Sequence, residues 1–261
     1  MAQGQTQLAR GDTVVTVDHV SLDYRKEKEP LPVLVDVSLR AGKDELVAVT
    51  GPSGCGKSTL LRIVAGLVRP TAGTVKVLDS EVEGPRDDIA MVFQNFVLLP
   101  WRTALENVMF GLGSRKDMSE EQKAEKSRAA LDVAGLSGFE NVYPGELSGG
   151  MKQRVGVARA LATEPRVMLL DEPFSSLDDL TAERLRKETY TLLINPQSSV
   201  QSVILVSHNV EEIIELADKV VVLSGRPAHV AGELEVSLPR PRNKKSDEFF
   251  RWVDKVYTLL S

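Results

Sequence analysis

The sequence predicts an α/β protein built on a mainly parallel sheet, with an N-terminal antiparallel β subdomain and an inserted α-helical subdomain. Three observations predict it. The unbroken apolar runs Leu46–Val49, Val167–Leu170 and Val203–Val206 have the length and continuity of strands buried on both faces. Each run leads into polar residues and then a helical pattern, the order of crossover units in a parallel sheet. Two earlier segments, Thr13–Val17 and Val33–Leu39, alternate instead, as half-buried antiparallel strands do.

Taken in order, the two alternating strands are separated by the charged, Pro-bearing stretch Arg25–Pro32 and form an edge or a small sheet. Leu46–Val49 is a strand, a Gly-rich turn follows it, and a helix is expected from Lys57 to Val68, closed by Pro70. From about Asn95 to Thr163 the chain reads as mainly helical, with Ser119–Ala134 rich in Glu, Lys, Ala and Arg and a second helix over Lys152–Ala162. Strands follow at Val167–Leu170, Val203–Val206 and Val220–Leu223. The tail Pro239–Lys245 reads as a solvated linker. Beyond it, Phe249, Phe250, Val253, Val256, Tyr257 and Leu260 fall at helical spacing, as in an amphipathic helix that packs on its own chain or offers a docking surface.

The 261 residues suit one large domain with small elaborations, and 42% apolar with 26% charged residues is a globular composition. No apolar run is long enough to cross a bilayer and the first ten residues lack a signal-peptide core, so the chain is expected to stay in the cytoplasm. Cys55 is the only cysteine, which excludes an internal disulfide and a cysteine zinc site. A net charge of −5 gives no general attraction to nucleic acid or anionic lipid.

Gly51-Pro52-Ser53-Gly54-Cys55-Gly56-Lys57-Ser58 satisfies G-x-x-x-x-G-K-[ST] between an apolar strand and a helix, which makes the core that of a P-loop NTPase. The glycines let backbone N–H groups curl around phosphate oxygens at a helix N-terminus. Lys57 reaches the β and γ phosphates, Ser58 offers a hydroxyl to Mg²⁺, and Thr59 can bond near the α-phosphate, so a nucleotide with its Mg²⁺ is the expected ligand. Cys55 reads as a small filler of the loop, and its alkylation is expected to obstruct ATP. At the end of Val167–Leu170, the adjacent carboxylates Asp171 and Glu172 should point apart because strand side chains alternate. Asp171 is assigned to the metal and Glu172 to the attacking water.

Leu147-Ser148-Gly149-Gly150-Met151-Lys152-Gln153-Arg154, placed before a helix, is a second anion site by its chemistry, and it resembles the signature motif of ATP-binding-cassette proteins. The resemblance implies a head-to-tail dimer in which Ser148, Gly149 and Gly150 of one subunit face the γ-phosphate held by Lys57 of the other. It implies that Gln94 touches Mg²⁺ and water, that His208 contacts the γ-phosphate, that Ser175-Ser176-Leu177-Asp178 forms a dimer contact, and that Tyr24 stacks on adenine. Asn209 departs from the Asp that many cassette proteins carry after the histidine.

Val92-Phe93-Gln94, Leu98–Thr103, Glu106-Asn107-Val108 and Ser207–Glu212 resemble the nitrate, sulfonate and taurine importer group. That resemblance implies an ATPase coupled to transport, a domain over residues 12–225 with its helical insertion at about 95–163, and a C-terminal linker and helix over 226–261. The implied partners are a second ATP-binding subunit, an identical chain or a close relative, integral permease subunits met near Trp101, and indirectly a substrate-binding protein, at the cytoplasmic face of the inner membrane. A non-transport cassette ATPase of translation or DNA maintenance is the alternative. Its usual paired cassettes or long coiled coil are missing from this sequence, and no nucleic-acid partner is expected.

Overall fold

A computed structural model describes residues 13–26, 29–175, 186, 190–191 and 199–260. The first two strands, β1 (Thr13–Lys26) and β2 (Glu29–Gly42), pair antiparallel over nearly their whole length. The stretch Arg25–Pro32, expected to separate them, is instead largely strand, with Arg25 opposite Pro30 and Asp23 opposite Pro32. Its prolines are tolerated because β2 is the edge of the sheet, where a missing N–H breaks no ladder. β4 (Ala72–Val77) and the two-residue β5 (Ser80–Glu81) complete a four-stranded antiparallel sheet in the order β2-β1-β4-β5.

The larger sheet contains β3 (Glu45–Thr50), β6 (Ile89–Val92), β7 (Val167–Asp171), β8 (Ser202–Val206), β9 (Lys219–Ser224) and β10 (His229–Glu235). Their order is β10-β9-β3-β8-β7-β6, parallel except for the antiparallel edge strand β10. The apolar runs read as doubly buried strands divide their side chains between two cores. Leu46, Ala48, Met168 and Leu170 pack on one face of the sheet with the C-terminal helices, and Val47, Val49, Val167 and Leu169 pack on the other with the antiparallel sheet. That two-sided burial is why these segments show no alternation.

Six α-helices occur among the described residues. α1 (Lys57–Val64) is shorter than expected, because Gly66 at φ 72° turns the chain before Pro70. Between β6 and β7 lie α2 (Ala104–Gly111), α3 (Glu120–Val133) and α4 (Gly149–Ala162), which share a third apolar cluster built on Val108, Leu112, Leu131 and Val155. α4 begins at Gly149, so Met151–Arg154 lie inside its first turns rather than before it. α2 and α3 start in capping boxes, Thr103 with Glu106 and Ser119 with Gln122.

α5 (Val210–Leu216) follows β8, and α6 (Asp247–Leu260) packs Phe249, Val253 and Val256 into the core of its own chain, leaving Phe250 and Tyr257 about half exposed. The segment before α6 is not the solvated linker expected. Arg242 donates to the carbonyls of Ile214 (2.7 Å) and Ala217 (2.6 Å), Arg240 to Leu216 O (2.7 Å), and Lys244 pairs with Glu215 (2.6 Å). The end of α5 has unpaired carbonyls and no glycine cap, and the arginines supply the missing donors.

Candidate active site

β3, β6, β7 and β8 run parallel and end at one edge of the sheet, where open α/β sheets place their ligands. After β3 the chain passes so close to β9 that a Cβ on Gly51 would lie 2.4 Å from Leu223 O, which only glycine allows. Gly56, at φ 121°, is the N-cap of α1 and offers no side chain to its first N–H groups, leaving that helix end open to an anion. Lys57 is buried and folds back to donate to the carbonyls of Gly51 (2.9 Å) and Pro52 (3.0 Å), which holds its ammonium within the curl of the loop. Pro52, Ser53 and Gly54 are exposed, and Thr59 is buried. Cys55 is 1% exposed and packs in the apolar core beneath the loop, the place of a small filler.

The adjacent acids at the end of β7 turn apart. Asp171 is buried and accepts from the Ser58 hydroxyl at 2.9 Å. Burial pushes its carboxyl above the ordinary range, while the Ser58 bond and the charges of Arg62 and Lys57 pull it down. Glu172 stands in the left-handed region at φ 45°, held there by its N–H to Val206 O at 2.9 Å. Its Oε2 accepts from Gln94 Nε2 at 3.2 Å and lies 3.2 Å from His208 Nδ1. Gln94 also reaches Ser175 Oγ at 3.4 Å. Residues following three different strands, β6, β7 and β8, therefore meet at one carboxylate oxygen, beside the Ser58–Asp171 pair.

Ser148 is the N-cap of α4 and accepts from Met151 N at 3.3 Å; Ser148 and Gly149 are exposed and Gly150 is buried. These three lie on the helical layer, on α4 packed against α2 and α3, and not on the strand ends that hold the other site residues. Tyr24 stands 38% exposed on β1. Ser176, Leu177 and Asp178 lie outside the described residues. Asn209, singled out for lacking a carboxylate, caps α5 by accepting from Glu212 N at 3.1 Å.

Two arginines escaped the sequence reading. Arg226, in the turn between β9 and β10, donates to Ser53 O at 2.5 Å and braces the phosphate loop from outside. Arg159, on α4, donates to Phe96 O (2.6 Å) and Val97 O (2.8 Å), and burial lowers its pKa. The Gly225-Arg226-Pro227 turn after a strand was the available signal for the first, and no local pattern distinguishes the second from any helical arginine.

The chain matches the family model described as "ABC transporter" over residues 34–175. It is 43% identical to the nitrate import ATP-binding protein NrtD of Synechocystis sp. over 237 residues, covering 87% of each chain. It is also 43% identical to the taurine import ATP-binding protein TauB of Yersinia pestis over 211 residues, 81% of each. Among solved structures, the dimeric ATP-binding cassette MJ0796 bound to ADP and Pi superposes with a TM-score of 0.74 at 32% identity, covering 86% of this chain and 100% of that one.

Proposed function

The chain belongs to the ABC transporter family as an ATP-binding subunit, and from that premise we propose that it powers an importer of a small anion, nitrate or a sulfonate such as taurine, as a head-to-tail dimer around Mg-ATP. The observation that carries this reading is the convergence of Gln94, Glu172 and His208 on one carboxylate oxygen next to Ser58 and Asp171.

Each residue has a task that its chemistry supports. The N–H groups of Gly51–Thr59 cradle the phosphates, and Lys57 exchanges its two loop carbonyls for phosphate oxygens. The donor set fits Mg²⁺. Ser58 Oγ and Asp171 Oδ1 are hard oxygen donors 2.9 Å apart, and the Gln94 carboxamide, bonded to the adjacent Glu172, would supply another. Bound there, the ion offsets phosphate charge, and its own charge would keep the buried Asp171 ionised. Glu172 accepts a proton from the attacking water, with Gln94 and His208 fixing its orientation and His208 turned also to the γ-phosphate. Ser148, Gly149 and Gly150 of the second copy close over that phosphate, and Tyr24 stacks on adenine.

The permease partner fits a groove of about 380 Å³ between β6 and the helical layer, lined by Met91, Phe93, Val97, Leu99 and Phe110. Trp101, 71% exposed nearby, is no part of the core and is available to a cytoplasmic helix. No helix among the described residues is long and apolar enough to cross a membrane, and a peripheral position on the cytoplasmic face follows from docking to such a permease. A substrate-binding protein would meet the permease and not this chain.

Size-exclusion mass of Glu172→Gln with and without Mg-ATP, alongside phosphate release by the unmodified chain, tests the reading. The variant is expected to dimerise with ATP while releasing phosphate about 10² to 10⁴ times more slowly. Near-normal turnover would remove Glu172 from its role, and a variant that stays monomeric with ATP would remove Ser148 from the facing site.

A further inference from the structure

Gln94 is followed by a turn in an unusual conformation. Phe96 and Val97 both lie at positive φ, 55° and 45°, although neither is glycine and Val97 is β-branched. Such a pair of conformations persists only where surrounding contacts impose it. Besides the turn's own bonds, from Phe96 N to Phe93 O (2.9 Å) and from Val97 N to Asn95 O (2.6 Å), the contacts come from Arg159, whose two terminal nitrogens donate to the successive carbonyls of Phe96 (2.6 Å) and Val97 (2.8 Å). The arginine stem is wedged in turn. A Cβ on Gly111, at the end of α2, would lie 2.8 Å from Arg159 Cγ and 2.9 Å from its carbonyl oxygen.

We infer that Arg159 is a positioning residue for hydrolysis: its guanidinium pins the turn Asn95–Val97 so that Gln94 stays on Glu172. α4 also carries Ser148–Gly150 at its N-terminus, and Ser148 and Arg159 are eleven positions apart, which returns to nearly the same face of a helix. A shift of α4 when its N-terminus meets the facing nucleotide therefore reaches the Gln94 turn through one rigid element. The same turn forms part of the groove through Val97, which puts catalysis and the groove on a shared strut. The inference rests on the proposed role of Gln94 and deepens it.

Arg159→Lys keeps the stem and the charge but loses the planar fork that meets two neighbouring carbonyls. It is expected to lower kcat by roughly tenfold while KM for ATP stays within about twofold, the signature of a lost transition-state arrangement. Three further variants of the full chain complete the experiment. Gln94→Ala with Arg159→Lys should be no slower than Gln94→Ala alone, because both remove the same contact. Val97→Gly added to Arg159→Lys should restore much of the lost kcat, since glycine takes positive φ without being held there. Gly111→Ala displaces the arginine stem from the α2 side and should itself slow kcat, which keeps the question open to measurement if Arg159→Lys does not fold.

A purely structural role would instead lower thermal stability and ATP affinity together, with no relief from Val97→Gly, and that result overturns the inference. If Gln94→Ala turns over normally, the role of Gln94 falls and this inference with it. If Gln94→Ala is slow and the two losses multiply, only the role of Arg159 falls. Normal turnover in Gly111→Ala, where Arg159→Lys yields no folded protein, also overturns it.

Discussion

Glu172 and Arg226 show two ways in which a residue serves the same site. In the proposed mechanism Glu172 brings its own reactive group; it is held at positive φ by a backbone bond to β8, and the position of an acid pair after an apolar run announced it in the sequence. Lys57, Ser58 and Asp171 were legible for the same reason, because their chemistry demands particular side chains at particular strand ends, whereas Gln94 and His208 stood out only through the resemblance to cassette proteins. Arg226 acts on the main-chain carbonyl of Ser53, which any residue could provide, so no pattern in the loop calls for it. Its charge-assisted bond restrains the exposed outer arm of the phosphate loop at Ser53, next to Pro52, whose carbonyl accepts from Lys57 and Cys55 N. Arg226→Ala is expected to raise KM for ATP about fivefold with kcat nearly constant, the effect of roughly 1 kcal/mol lost from nucleotide binding. Steady-state phosphate release over a range of ATP concentrations measures it, and an unchanged KM would make the contact incidental.

Among the elements, α5 depends most on partners distant in sequence. It has seven residues, too few for an isolated helix, and it begins immediately after His208 and its cap Asn209. Its C-terminal carbonyls are satisfied by Arg240 and Arg242, whose run of Pro, Arg, Asn and Lys gives every sign of a solvated linker unless the helix end opposite is known. Burial lowers the Arg242 pKa to about 10, with Arg240 adding to the shift. The other illegible elements are short or one-sided. β6 has four residues, and β10 is an edge strand with no fully buried position.

Within α5, Glu212 is buried facing Arg186, Ser207, Glu215 and Lys244. Burial raises its pKa to about 7, opposed by Arg186 and Ser207. The native carboxyl therefore keeps a proton that the unfolded chain, at an ordinary 4.5, has already released. Stability should fall as pH rises from about 4.5 to about 7 and level off above, a loss of roughly 3 kcal/mol at most from this group. Thermal melts of the native chain and of Glu212→Gln across that range test it, with the variant expected to show the smaller decline and the higher Tm at pH 8. Parallel curves for the two proteins would remove Glu212 as the source.

At the scale of the whole molecule, the two proposed anion sites of one chain sit on different layers. The phosphate loop stands at the sheet edge and Ser148–Gly150 on the helical layer, where α4 packs with α2 and α3. The sequence announced both motifs, but their separation on one chain is a property of the fold, set by where the insertion leaves β6 and returns at β7. If each nucleotide is shared between copies, damage to the two motifs should complement in trans. Lys57→Ala spoils both sites of its homodimer, and so does Ser148→Arg, so each protein alone should release little phosphate. A mixed dimer joins the intact loop of one copy to the intact Ser148 of the other, restoring one site while the second carries both lesions. Random pairing makes half the dimers mixed with one good site each, so an equal mixture should recover up to about a quarter of the unmodified rate. Recovery should follow the square of protein concentration when dilution limits pairing, because the active species needs one copy of each chain. A mixture no more active than its parts would mean that the loop and Ser148 do not meet across copies, and the head-to-tail arrangement would have to be given up for this chain.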